Sequence, residues 1–340
     1  MENDPFLVAR MGLRHEWLAQ VQEDIIDTDR EIIDPHHHFW NRGGYAYELD
    51  QLWADTQSGH NITQTVFIEC RSSYDETLPE MMQPVGETRY VAAIAEQARA
   101  HPDRAQIAAI ISHADLRNPE LDQVLDAHEA AAQGLFRGIR HAGAWDRDLA
   151  ALMIPGRGYE GQYSDPAFRR GLARLGERGL TYDTWHYHPL TEDFAEMARA
   201  VPQTTLVLNH FGTPLGVGRF KGKRHEIFKA WKDQVAVLAE APNVIAKLGG
   251  LAMPDNGWGW HERAWPPSSD EFVETQAEWY HYMIACFGPE RCMFESNFPV
   301  DRISISYPVL WNGLKKIAAS YDEVAQAAMF SGTAKRVYRL

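Results

Sequence analysis

Residues 179–212 read GLTYDTWHYHPLTEDFAEMARAVPQTTLVLNHFG, and they hold one complete repeat of the fold. Leu180–Trp185 and Thr204–Asn209 are short, β-rich runs. The second is almost wholly apolar, as a parallel strand buried on both faces must be. Between them, Thr191–Ala200 spaces its apolar residues for an amphipathic helix. The unit is strand, helix, strand, and polar residues sit where each strand ends: His186 and His188 after the first, His210 after the second.

The same alternation extends in both directions. Strands are expected at Glu31–Asp34, Gln64–Glu69, Gln106–Ser112 and Leu135–Arg140 before this unit, and at Asn243–Leu248 and Arg291–Glu295 after it. Helices are expected at Gly86–Ala100, Pro119–Gln133, Asp165–Arg178, Glu226–Glu240 and Ser269–Phe287. Asp165-Pro166 and Ser268-Ser269-Asp270-Glu271 supply helix starts, with proline at a first helical position and a capped, acidic first turn. Eight strands alternating with helices predict an α/β protein of the (β/α)8 TIM-barrel type. A doubly wound open sheet is the rival, but it wants a glycine-rich phosphate turn after its first strand, and none is present. No linker or low-complexity tract divides the chain, so residues 31–340 read as a single barrel domain. Residues 1–30 read as an N-terminal extension suited to a helix across the barrel floor. The stretches Gly212–Arg224 and Met253–Ser268 are long enough to act as lids or substrate loops.

The composition narrows the partners. Across 340 residues, 47 acidic against 33 basic side chains leave a formal charge of −14, which disfavours a nucleic-acid backbone or an anionic membrane. A small anionic substrate held by a local arginine remains compatible, as does a homo-oligomer. No apolar run approaches the ~20 residues of a membrane span. The first residues, MENDPFLVARMGLRHEW, read as neither a signal nor a transit peptide. Three cysteines, Cys70, Cys286 and Cys292, are too few for a disulfide framework and fit a cytoplasmic setting.

In a barrel all strand tips converge on one face, where catalytic groups sit. His36 and His38 lie two apart on a strand end, so they point the same way and can share one ion, while His37 points to the opposite face. His210 is a metal ligand or an electrophile for a carbonyl; the bland alternative is a core histidine bonded to a backbone carbonyl. Glu69 reads as ligand, general base or half of an ion pair. Arg140, beside His141, suits a substrate carboxylate, or else braces Glu69 or Asp146. His188 either touches substrate or caps the next helix. Glu295, Asn297 and Asp301 follow the last strand. Trp258 and Trp260 either wall a pocket or pack ordinarily.

The motifs IIDPHHHFW, FIECRSSY, FRGIRHAGAWD, LVLNHFGTPLG, NVIAKLGGLAM and RCMFESNFPVDR, in this order on separate strands, resemble the amidohydrolase superfamily. Within it they look like the amidohydrolase-2 branch of TIM-barrel metal-dependent hydrolases, which includes sugar lactonases and 2-pyrone-4,6-dicarboxylate lactonase. The resemblance covers the chain from about Ile32 onward. It implies a distorted (β/α)8 barrel and a hydrolase acting on a lactone, ester or amide of a small molecule. It places a metal at His36, His38 and His210, with zinc the first choice of divalent ion, although the branch also has metal-independent members. It matches Arg140 and His188 to substrate-contacting positions, and His141, next to Arg140, is expected to bind substrate with them. A related branch decarboxylates aromatic acids, and a non-catalytic binding protein on the same barrel is a third reading. The branch usually carries S-D-x-P after the last strand, with the aspartate activating water. This chain reads Ser296-Asn297-Phe298-Pro299, and an amide cannot take up a proton as a carboxylate does. The base is therefore expected at Glu69, or at Asp301 four residues beyond Asn297.

Overall fold

The structure, a computed structural model, describes residues 14–42 and 45–340. Eight strands form one parallel sheet in chain order: Glu31–His37 (β1), Asn61–Ile68 (β2), Gln106–Ser112 (β3), Phe136–Arg140 (β4), Thr181–Thr184 (β5), Leu206–Leu208 (β6), Val244–Leu248 (β7) and Cys292–Phe294 (β8). Helices run on the outside between successive strands, Thr191–Ala200 and Ser269–Phe287 with the bounds expected from their patterning. Asp165 and Ser268 cap their helices through side-chain bonds to the N–H groups of Ala167 and Glu271. Among the described residues no helix is long and apolar enough to cross a membrane.

The barrel closes imperfectly, and β1 shows why. Pro35 has no N–H, and the pairing of β1 with β2 shifts register between Asp34 and His37. On its other side β1 meets the chain after β8 through a single bridge, His37 to Phe298, with the N–H of His38 bonded to the Phe298 carbonyl at 2.8 Å. The side chain of Asp34 fastens this seam. It accepts the Ser296 N–H at 3.0 Å, the Ser296 hydroxyl at 2.5 Å and the Tyr307 hydroxyl at 2.9 Å.

Two apolar layers result. The larger lies between strands and helices. The smaller fills the barrel itself, where Ile33, Val66, Ile68, Ala109, Ile111, Val207, Ile245 and Met293 meet Ala334, Val337 and Tyr338. The last three belong to the final helix, Thr333–Tyr338, which plugs the floor. Lys335 pairs with Glu31 at the start of β1 at 2.7 Å, and Arg137 near the start of β4 donates to the Tyr338 carbonyl at 2.7 Å.

This corrects the expected place of the N-terminal extension. Its first 13 residues lie outside the described ones, but Arg14–Arg30 does not cross the floor. His15 meets Arg302 at 2.7 Å, Trp17 bonds the Arg263 carbonyl at 2.9 Å, and Glu23 accepts the Ser269 N–H at 2.7 Å. The segment therefore runs along the loops that follow β7 and β8. The floor was already filled by apolar side chains from the C-terminus. The structure also has an antiparallel hairpin, Trp40–Arg42 with Tyr45–Tyr47, where no strands were expected.

Candidate active site

His36 is the last inward-facing residue of β1, and His38 follows one step beyond the strand. Their Nε2 atoms face each other at 3.3 Å. His37 turns to the other side, as period-two alternation requires, where Thr65 meets its Nε2 at 3.1 Å and Phe39 and Phe67 pack on the ring. His210, just after β6, brings its ring to 4.5 Å from that of His36. The three histidines that the motifs predicted thus form one cluster.

Glu295, directly after β8 and fully buried, stands behind two of them. One of its oxygens lies 2.7 Å from His210 Nδ1 and the other 2.7 Å from His36 Nδ1, the second contact off the hydrogen-bond direction. A bare nitrogen lone pair aligned at 2.7 Å on a carboxylate oxygen would be repulsive, so Nδ1 carries a proton in His210. His38 Nδ1 lies 2.8 Å from the Ile68 carbonyl, which assigns its proton the same way. His38 Nε2 is then left as a lone pair that faces His36 Nε2. Burial, then the Lys247 charge, drives the pKa of His36 well below its ordinary value. Burial, then Arg140, does the same to His38, so neither ring charges near neutral pH.

Two glycines after β7 make this approach possible. A Cβ on Gly249 would lie 2.3 Å from the Glu295 carbonyl oxygen, and one on Gly250, at φ +75°, would lie 2.3 Å from His210 Nδ1. The NVIAKLGG motif is therefore a packing requirement of the site. Below the cluster Lys247, wholly buried, lies 2.9 Å from Asp183 on β5 and 3.5 Å from His36 Nδ1. Asp183 also accepts the Tyr338 hydroxyl at 2.8 Å, so the floor helix is tied to the base of the site.

Above the cluster opens a cavity of about 1250 Å³, lined by His38, His210, Glu69, Arg140, His141 and Asn297 among others. Arg140 is not the unpaired cation that its sequence context suggested. Its Nε donates to Glu69 Oε1 at 2.8 Å, and its Nη2 to the Glu69 carbonyl. Burial alone would raise the Glu69 carboxyl, but Arg140 outweighs it, with help from His113 and Arg71, and holds it below the ordinary range. Glu69 is therefore ionised, and its Oε2 has no hydrogen-bond partner among the described residues.

His141 lines the cavity while accepting the Leu116 N–H at 3.3 Å. His188 does not line it: its Nδ1 accepts the Leu215 N–H at 3.2 Å and its ring packs on Phe220. His186 is a buried structural residue between Tyr163 and Thr191. Trp258 and Trp260 pack on the core rather than wall the cavity.

Asp301 does not reach the cavity either. One oxygen accepts Asn297 Nδ2 at 2.8 Å, the other the Ala252 N–H at 3.2 Å, and burial pushes its pKa well up. It supports Asn297. Asn297 lines the cavity at φ +56°, and with Nδ2 committed to Asp301 its Oδ1 is left to accept.

Sequence reasoning missed Glu295 as a working residue, and Lys247 and Asp183 altogether. A lysine in the apolar run VIAKL was a usable signal, because a strand buried on both faces cannot hold an ammonium without a carboxylate.

A parallel barrel with its polar side chains gathered at the carboxyl ends of the strands has the layout of a barrel enzyme. The chain belongs to the amidohydrolase family, whose profile, described as "Amidohydrolase", matches residues 33–340, and so to a family of hydrolases. It is 31% identical over 336 residues to the uncharacterized protein y4mH of Sinorhizobium fredii, covering 92% of this chain and 100% of that one. It is 27% identical over 321 residues to an L-fucono-1,5-lactonase of Burkholderia multivorans, covering 91% and 96%. Among solved structures, an amidohydrolase of Burkholderia multivorans crystallised with bound zinc shares the fold at a TM-score of 0.71 and 23% identity, covering 91% of this chain and 99% of that one.

Proposed function

We propose that this enzyme opens a lactone, or cleaves a related ester or amide, of a small carboxylate-bearing substrate, with one divalent ion, zinc, as cofactor. The observation that carries the reading is the histidine cluster. With the His36 proton on Nδ1, as in His38, two neutral imidazoles turn lone pairs toward each other at 3.3 Å and have no proton to share. That separation matches two nitrogen donors of one tetrahedral ion at ~2.0–2.1 Å bonds. Charge balance points the same way. Lys247 is already matched by Asp183, so the side chains that face the buried Glu295 carboxyl are His36 and His210, and a carboxylate there calls for a positive charge nearby. A cation held by the Nε2 atoms of His36, His38 and His210 would supply it. The 2.7 Å contacts are too short for Glu295 and these Nδ1 atoms to be ligands of that same ion, so Glu295 backs the histidines from behind.

When bound there, the ion supplies Lewis-acid polarisation of the substrate carbonyl. Glu69 Oε2 takes the proton of the attacking water as the new carbon–oxygen bond forms, and returns it to the leaving oxygen as the old bond breaks. Asn297 Oδ1 orients the water by accepting a hydrogen bond. Arg140 keeps Glu69 ionised and rigid.

The test is to offer zinc-loaded protein L-fucono-1,5-lactone, other sugar-acid lactones and 2-pyrone acids, and to follow acid release with a pH indicator. Turnover is expected, and Glu69→Gln should lower kcat by about 10²- to 10⁴-fold with fold and zinc retained. Full activity in that variant removes Glu69 as the base. Carbon dioxide from aromatic acids without lactone opening would establish a decarboxylase instead, and tight binding without turnover a binding protein.

A further inference from the structure

The loop after β2 carries two polar groups that the proposed steps do not use. Arg71, at φ +63°, lines the cavity with its guanidinium 5.2 Å from the ring of Tyr74. Among the described residues it makes no hydrogen bond or ion pair. Tyr74 lines the same wall, and its hydroxyl is buried with no partner. Burial, then the carboxylates of Glu69 and Glu87, holds that phenol well above its ordinary range, so it stays a donor. A buried hydroxyl without an acceptor awaits one. The Tyr74 ring stacks on His113 at 6.4 Å, and His113 meets His141 edge-on at 5.2 Å, so the wall is continuous.

Two neighbouring carboxylates are already matched. Asp115 is held by Arg117 through bonds of 2.9 and 2.7 Å, and Glu69 by Arg140 at 2.8 Å. The cavity as a whole is lined by Arg71, Arg117, Arg140 and Arg157 against Glu69, Glu80 and Asp115, one cation in surplus on a chain of formal charge −14.

We infer that Arg71 and Tyr74 form a second subsite, which binds a carboxylate that the substrate carries away from the carbon that reacts. Resting on the function proposed above, this moves the reading of the substrate acid from Arg140, which Glu69 occupies, to the loop after β2. The guanidinium supplies charge and paired N–H donors, and the phenol a third donor from below. An amide in place of that carboxylate forfeits the charge-assisted bonds, so the pocket prefers the acid.

The test is equilibrium binding, which needs no turnover. Isothermal titration of the zinc-loaded full chain compares succinate, glutarate and adipate with their monoamides, each pair differing only in the second carboxylate. For the diacid whose length fits, wild type should bind the diacid at least about 10-fold more tightly than its monoamide. Arg71→Met should abolish that preference, and Tyr74→Phe should reduce it about 3- to 10-fold, both with wild-type circular dichroism and Tm. Arg117→Met should keep it, because Arg117 is committed to Asp115. No preference in wild type for any pair, or a preference that survives Arg71→Met, overturns the subsite. If lactones are not hydrolysed but the preference stands, the reaction falls and the subsite remains. If they are hydrolysed without any preference, only the subsite falls.

Discussion

Replacing Glu295 by glutamine changes one carboxylate oxygen to an amide nitrogen without changing shape, and so tests how the histidines are held. In the proposed metal site both oxygens face a protonated Nδ1, His210 at 2.7 Å and His36 at 2.7 Å. Glutamine can accept from only one of them. Its NH2 group would oppose the other Nδ1–H, and that ring relieves the clash by moving its proton to Nε2, which removes the lone pair a metal needs. Losing an outer partner of one ligand histidine costs about 10- to 100-fold in metal affinity. Here one histidine loses its partner while the other keeps an acceptor, so zinc affinity should fall about 10- to 100-fold, or ~1.4–2.7 kcal/mol. Competition against a chromophoric chelator at fixed pH measures it, with the metal-free Tm as a control for folding. An affinity within about threefold of wild type would refute both the tautomer assignment and the role of Glu295.

Two further outcomes follow from the barrel interior. Lys247→Met leaves Asp183 buried with only the Tyr338 hydroxyl and Asn209 as partners, at 2.8 and 3.3 Å, and should cost ~3–5 kcal/mol in urea unfolding. Adding Asp183→Asn should recover part of the loss, and a single variant as stable as wild type would refute the pairing. Glu87, buried beneath the loop after β2, has its carboxyl raised to about 7 by burial and then by Glu69. A raised folded pKa means that stability is full below the ordinary carboxyl range and is lost as pH climbs toward 7, by about 3 kcal/mol across the interval. Glu87→Gln should flatten that dependence in unfolding curves between pH 4 and 8; an unchanged slope would show that another group titrates.

The difference between what was legible and what was not follows from sequence separation. Strand β3 and the helices Thr191–Ala200 and Ser269–Phe287 were legible to the residue because their patterning is local. Strands β6 and β8 shrink to their three-residue apolar centres, because the polar residues expected at their ends, Thr204, Thr205, Asn209, Arg291 and Glu295, lie outside the strands. His36 and His38 were legible because alternation alone puts them on one face. Arg140 and Glu69 are 71 positions apart, and their pairing depends on how β2, β3 and β4 are staggered, which no local pattern encodes. Asp301 looked available because it is close in sequence to Asn297, yet the turn after Pro299 aims it back at Ala252.

The same long-range geometry explains how the site can do without an aspartate at position 297. A carboxylate there would need its charge offset beside buried Asp301 and Glu295, and the Asn297 amide instead donates to Asp301 and presents an acceptor. On the proposed mechanism two glutamates have separate tasks. Glu295 lies under the histidines, where burial and the 2.7 Å contacts favour holding a cation in place. Glu69 lies on the cavity wall, where Arg140 keeps one oxygen engaged and the other is left for a proton. One carboxylate that both supported a metal and moved a proton would have to compromise its basicity for its charge. With two on neighbouring strand tips, each environment can be tuned on its own, which is why the substitutions at Glu295 and Glu69 should separate: the first should weaken zinc binding, and the second should lower kcat with the zinc still bound.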